Sequence, residues 1–345
     1  MRWTDLSAIW IEGRETVGEI AVREGLEVLR ERVAPVQWKV PAFCTNDWAA
    51  LKLAQMCRQT GAGDPFAVAY GSPQCVWSGG RAAVIRRDMS EDELERYFAA
   101  YKAAGMSVML TFTRLEVPPA LYANRQANLT LDVAARYRGE AVVVDDGLAR
   151  HIRKQHPELR LVASFNKPLC ELDPDVSPAA ETAYYRRLFD LYDEVVVRCE
   201  YALDDERIGL MTPAERGRCE VIVNQICVPN CSCGRRHMEA LEAWDRGGAR
   251  GPIQGCYHTA TSRGPERLVQ NLYISNARID KLASMGVERF KIGGRNAPVD
   301  KFIDLMATYV FEPTGAVLAM KDVLAREYSL AARCDPMFAP YCLPR

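Results

Sequence analysis

Eight short apolar runs, separated by stretches of helical periodicity, constrain the fold of this sequence more than any other feature. They are "FAVAYG" (66–71), "SVMLTFT" (107–113), "AVVVDD" (141–146), "LRLVASFN" (159–166), "EVVVRCE" (194–200), "CEVIVN" (219–224), "NLYIS" (271–275) and "RFKIGG" (289–294). Runs of Val, Ile and Phe without polar alternation fit strands covered on both faces, as in a parallel sheet. Between them, "SEDELERYFAAYKAAG" opens on Ser90, sets acids in its first turn and closes on Gly105, which is the pattern of a capped helix. "DDGLARHIRKQHPEL" and "ETAYYRRLFDLYD" repeat apolar residues at helical spacing, and "NARIDKLASMG" ends on Gly286. This alternation predicts an α/β chain folded as a TIM-like (β/α) barrel. The competitor is an open doubly wound sheet, which carries a GxGxxG turn after its first strand. "GSPQCVWSGGR" (71–81) has glycines but not that pattern, so the barrel is preferred. A single domain over 1–345 is expected, with an N-terminal cap (1–60), a barrel core (61–312) and C-terminal helices with a tail (313–345).

A barrel places its chemistry at the C-terminal ends of its strands. Those positions hold Tyr70, Gly71 and Ser72, then Thr111 and Thr113, Asp145 and Asp146, Ser164 and Asn166, Arg198 and Glu200, Asn224 and Cys227, and Lys291 to Arg295. Any strand end tends to be polar, so the ring as a whole carries more weight than one member.

The formal net charge of −1 over 345 residues argues against a broad nucleic-acid face, which needs clustered Lys and Arg. No segment reaches the roughly 18 uncharged apolar residues of a membrane span, and the charged start "MRWTDLSAIWIEGRETVG" is unlike a signal peptide. The expected location is cytoplasmic, with no membrane partner. There thiols stay reduced, so the twelve cysteines are read as buried, metal-bound or catalytic rather than paired.

Their spacing is more telling than their number. Cys227, Cys231 and Cys233 crowd into "VNQICVPNCSCGRRH" (223–237), and Cys256 follows at a distance. A structural zinc site normally shows two CxxC knuckles or a CxxC with a His pair. Here the second knuckle is missing, although His237 and His258 could supply nitrogen. An iron–sulfur cluster accepts irregular spacing because its thiolates come from separate loops. From the residues alone, cluster, zinc and inert buried thiols all stay open.

"EVIVNQICVPNC", followed downstream by "IDKLASMGVERFKIGGR", resembles the collagenase-like peptidase family, the thirty-second family of peptidases of unknown type. Gly286, Val287, Phe290, Lys291, Ile292, Gly294 and Arg295 match its Phe-Lys-Ile-x-Gly-Arg strand. Asn224, Cys227, Pro229, Asn230, Cys231, Arg235 and His237 match the cysteine segment of its iron–sulfur barrel branch. The resemblance covers roughly residues 60–310. It implies a barrel carrying a [4Fe–4S] cluster and oxygen-independent hydroxylation or related redox or rearrangement chemistry. The implied ligands are Cys227, Cys231 and Cys256, with Cys233 the nearest fourth and Cys44, Cys334 and Cys342 more distant sources. Members usually spread their four cysteines over a longer interval, and this chain has no cysteine just after the Lys-Ile-x-Gly-Arg strand.

Around that centre, Asp145, His237 and Asn224 are the residues expected to serve catalysis, and one of Asp145 and Asp146 to cap the following helix. Lys291 and Arg295 are expected to clamp a carboxylate or phosphate, Arg295 through its two-pronged guanidinium; the alternative is an ion pair closing the barrel. Trp77 and Arg81 are expected on a substrate-facing rim loop. The reading is an iron–sulfur hydroxylase or oxidoreductase acting on a small anionic organic molecule, alone or as a homo- or hetero-oligomer. Its rivals are an RNA base hydroxylase, a partner-dependent non-catalytic subunit and, last, a peptidase, for which no nucleophile–base pair or HExxH is visible.

Overall fold

The computed structural model describes residues 29–59, 61, 63–79, 85, 87–225, 230–248, 253, 254, 256, 272–295 and 297–311. Eight parallel strands close into a barrel. They are β1 (Gln37–Val40), β2 (Val68–Gly71), β3 (Ser107–Phe112), β4 (Glu140–Val143), β5 (Arg160–Ala163), β6 (Glu194–Val197), β7 (Cys219–Ile222) and, after a short antiparallel pair β8 (Asn224–Gln225) and β9 (Leu272–Tyr273), β10 (Arg289–Lys291). Strand order follows the chain from β1 to β7, and β10 sits between β7 and β1 to close the ring. The barrel predicted from the periodicity is therefore present. Among the described residues no helix is long and apolar enough to cross a membrane.

Two strand assignments differ from the sequence reading. "NLYIS" does not enter the barrel; its Leu272 and Tyr273 pair antiparallel with Gln225 and Asn224 above the rim. The missing barrel strand is β1, inside the stretch expected to be a cap, so the boundary at residue 60 does not hold there. "QWKV" has no apolar run because its central residue, Lys39, is charged, yet Lys39 is only 1% exposed. The expected closing segment beyond 312 lies outside the described residues.

The outer layer forms for ordinary reasons. Ser90 caps the helix Glu91–Ala103 by accepting from the Glu93 N–H, while the Glu93 carboxylate accepts from the Ser90 N–H, a reciprocal capping box. Leu94, Tyr97, Phe98 and Tyr101 fall on one face and are buried; Phe43 stacks edge-on against Phe98 and Tyr101. Each such side chain contributes about 1.5–3 kcal/mol on burial.

The lumen is built in levels, because inward residues alternate along each strand. Val68, Tyr70, Met109, Val142, Val162 and Val196 form a small apolar cluster separate from the main core. Beneath it lies a charged floor. Lys39 Nζ is 2.8 Å from Glu140, 2.6 Å from Glu194 and 2.9 Å from Glu220. Arg289 Nε lies 2.8 Å from the other oxygen of Glu194, where Arg160 also pairs. Burial alone would lower the Lys39 value, but Glu140, Glu220 and Glu194 outweigh it and hold the ammonium well above the ordinary lysine range.

Candidate functional site

At the C-terminal ends of the strands the lumen opens into a cavity of about 190 Å³. That is small beside the roughly 300–1,000 Å³ of drug-sized pockets. Tyr70, Thr111, Thr113, Val142, Ser164 and Ile222 rise into it from the strands. Phe165, Asn166 and Leu169 enter from the loop and short helix after β5, and His237, Met238 and Leu241 from the helix Gly234–Asp245. Gly234 lets that helix approach: a Cβ there would come within 2.3 Å of the Leu169 carbonyl oxygen.

Lys291, Gly293, Gly294 and Arg295 complete the wall. The segment is held firmly. Lys291 C=O accepts from Val223 N–H at 3.0 Å and Ile292 N–H donates to Lys39 C=O at 2.9 Å, so the ladder continues past the strand. Asn224 then clasps Gly293 from both sides, accepting from its N–H at 2.6 Å and donating to its C=O at 3.1 Å. Gly294 takes φ +129°, a conformation that L side chains rarely adopt. This turn delivers Arg295 to the cavity, where Nη1 donates to Thr111 Oγ1 at 2.6 Å. No carboxylate is among the described lining residues.

Lys291 is 8% exposed. Its ammonium lies 3.3 Å from Glu220 and 4.3 Å from the centre of the Tyr70 ring, whose hydroxyl donates to the Ile292 carbonyl at 2.6 Å. Burial pulls Lys291 below the ordinary lysine value; Glu220 opposes this, while Lys39 and Arg295 reinforce it. Glu220 is pulled the other way: burial would raise it, but Lys291 and Lys39 hold its carboxyl below the usual range.

The expected site residues thus fall into distinct places. Lys291, Arg295, Asn224 and His237 share the cavity. Asn224 acts there on the backbone of the Arg295 turn. Asp145 does not join them: it caps the helix Asp146–Gln155, accepting from Leu148 N–H at 2.6 Å, and Asp146 pairs with Tyr192 and Lys167. Trp77 is fully buried outside the cavity, its ring edge-on to Phe112 and its Nε1–H donating to Leu121 C=O at 2.9 Å. It is a core residue, held inward by the Phe112 ring and by its hydrogen bond to the Leu121 carbonyl. Arg81 lies outside the described residues. Arg198 is spent on Glu181. Residues that the sequence reading passed over are the floor of Lys39, Glu140, Glu194 and Glu220, whose signal was a charge inside each short strand.

The cysteines are only partly described: Cys227, Cys334, Cys342 and His258 lie outside the described residues. Cys256 Sγ is 3.5 Å from His237 Nδ1. Cys233 precedes the same helix one turn earlier, and its Sγ is 3.5 Å from Arg236 and 3.9 Å from the Gln254 carbonyl. Cys231 is half-buried nearby in sequence, and Glu200 accepts from the N–H of Asn230, which sits at φ +50°. Among the described residues no three His, Cys, Asp or Glu side chains converge into a metal-sized set. The described thiols therefore do not by themselves fit a cluster. Cys44 is fully buried in the core and its thiol is held up by burial and by Asp47.

No protein-family model matches the chain, and no curated protein matches it. Among solved structures, the U32 peptidase Mk0906 is similar over 77% of this chain and 95% of its own, with 13% identity and a TM-score of 0.47. The structure described as AsfvAP:AG covers 87% of this chain and 98% of its own, with 12% identity and a TM-score of 0.35. The barrel assignment rests on the strand order rather than on these likenesses.

Proposed function

We propose that this chain is an enzyme whose barrel mouth binds a small carboxylate-bearing organic substrate, with Arg295 as the anion contact. The observation that carries the reading is the cavity wall. It offers hydroxyls, amides, an imidazole and two basic side chains, with no acid among its described members. A guanidinium held at a partly dry surface is a strong, directional partner for a carboxylate. Thr111 and the Asn224–Gly293 clasp fix its position before a ligand arrives, which lowers the ordering cost of binding. Calorimetric titration with small mono- and dicarboxylates, each against its amide, tests this: the acids should bind and the amides should not. Equal affinity for both ends the reading.

A second component of the proposal is a [4Fe–4S] cluster on the cysteine segment, supporting oxygen-independent hydroxylation or related chemistry beside the mouth. What supports it is the contact between Cys256 and His237, because His237 also lines the cavity. Cys227 would have to complete the set, with Cys231 and Cys233; zinc is the alternative metal. Anaerobic purification followed by iron, sulfide and zinc analysis decides. Roughly four irons and four sulfides per chain, lost in Cys256→Ala and Cys231→Ala but kept in Cys57→Ala and Cys199→Ala, is the expected result. One stoichiometric zinc in a colourless protein removes the cluster from the proposal.

A further inference from the structure

We propose that Lys291 is the reactive amine of the barrel mouth and forms an imine with the carbonyl carbon of a small 2-oxo acid whose carboxylate Arg295 holds. The inference rests on the carboxylate reading above and names the substrate class.

Three features lead to it. First, the lysine projects from the end of a barrel strand whose backbone is locked on both sides, so its nitrogen is positioned rather than mobile. Second, the one carboxylate that Lys291 contacts has another cation: Glu220 also lies 2.9 Å from Lys39, while Arg160 and Arg289 both serve Glu194. Lys291 can surrender its proton and leave Glu220 still beside Lys39, whereas loss of the Lys39 charge would touch three buried carboxylates at once. Third, its surroundings disfavour the ammonium: the side chain is 11% exposed, and both Lys39 and Arg295 push on it. A desolvated lysine next to other cations is the setting in which an amine attacks carbonyl groups near neutral pH.

The chemistry is self-contained. The neutral nitrogen adds to the carbonyl carbon, forming the N–C bond while the C=O π pair moves to oxygen, which takes up a proton from solvent water. Glu220, 3.3 Å from the nitrogen, accepts the proton that the tetrahedral nitrogen releases and returns it to the carbinolamine hydroxyl as the C–O bond breaks, water departs and the nitrogen lone pair forms the C=N bond. In sum, amine, ketone and one solvent proton give the protonated imine and one water, with no oxidant or reductant. The Tyr70 ring beneath Nζ stabilises the cationic imine as it does the ammonium. Arg295, on the same wall, sets the carboxylate and so the face presented to nitrogen.

Two carbonyl probes on the wild-type protein test this at neutral pH with cyanoborohydride, read by peptide mass mapping. Formaldehyde reports amine reactivity alone; pyruvate reports reactivity plus the carboxylate contact. Lys291 is expected to be modified by both, at least about tenfold faster than the exposed Lys301, and pyruvate labelling should fall in Arg295→Ala while formaldehyde labelling persists. Formaldehyde labelling of Lys291 without pyruvate labelling overturns the carboxylate reading and the 2-oxo acid with it. Modification that follows surface exposure and spares Lys291, in a protein that still binds carboxylates through Arg295, overturns the imine proposal and leaves the binding reading standing.

Discussion

Lys39 and Lys291 are paired across neighbouring barrel strands, yet their surroundings pull them in opposite directions. Lys39 touches three carboxylates and is held charged. Lys291 shares one of them, faces the cavity and is pushed towards neutrality. A buried charge that is fully partnered is a structural element, and one that is under-partnered at an opening is available for chemistry. The comparison separates residues that carry the barrel from residues that work in it, although both are buried lysines on adjacent strands.

The harshest way to break the comparison is Lys39→Met, which leaves Glu140, Glu194 and Glu220 short of their shared cation. Removing one member of a buried ionic set costs about 3–5 kcal/mol, so urea denaturation should show a loss of that size or no folded protein at all. A loss below about 1 kcal/mol would erase the distinction between floor and mouth. At the mouth, Arg295→Ala should weaken binding of a small carboxylate at least about tenfold, or ~1.4 kcal/mol, with an unchanged melting temperature. Arg295→Lys should restore only part, since the bidentate fork is lost. A lower melting temperature with unchanged affinity would move Arg295 to the structural side.

The smallest effect is a slope. Because folding lowers the Lys291 value below the ordinary 10.5, the unfolded chain holds a proton that the folded chain lacks between those two values. Stability from this group therefore rises with pH across that window and levels off above 10.5. Lys39, with its folded value raised, contributes stability that is complete below 10.5 and lost only as pH climbs towards the folded value. Lys291→Met should remove the rising component from wild-type stability measured by urea at stepped alkaline pH. An unchanged slope would mean that Lys291 stays charged.

The sequence made the barrel visible where strands were apolar throughout, as in "AVVVDD" and "EVVVRCE", because both faces of such strands are covered. It hid β1, whose inward residue is a lysine, since a hydrophobicity pattern reads Lys39 as exposed. It misplaced "NLYIS", because a short apolar run does not reveal its partner, here Asn224–Gln225. At the site, the Lys-Ile-x-Gly-Arg segment pointed to the mouth, where Lys291 and Arg295 now stand. Trp77 and Asp145 misled for a common reason: a residue's type is legible in sequence, but the direction of its side chain is set by packing and capping.

The charged floor also bears on how this chain reaches its fold. Lys39 is 101 residues from Glu140 and 155 from Glu194, so its partners arrive only when distant segments meet. Until then each carboxylate remains hydrated, and an incomplete barrel that closed early would trap it without a counterion. Contacts of such separation slow folding. They also make the ring all-or-none: a fragment ending after β4 would contain Lys39 and Glu140 but neither Glu194 nor Glu220, and one starting at β5 would hold those acids without their lysine. This barrel is stitched through its centre by Lys39, and its two halves should be insoluble apart and recover structure only when mixed.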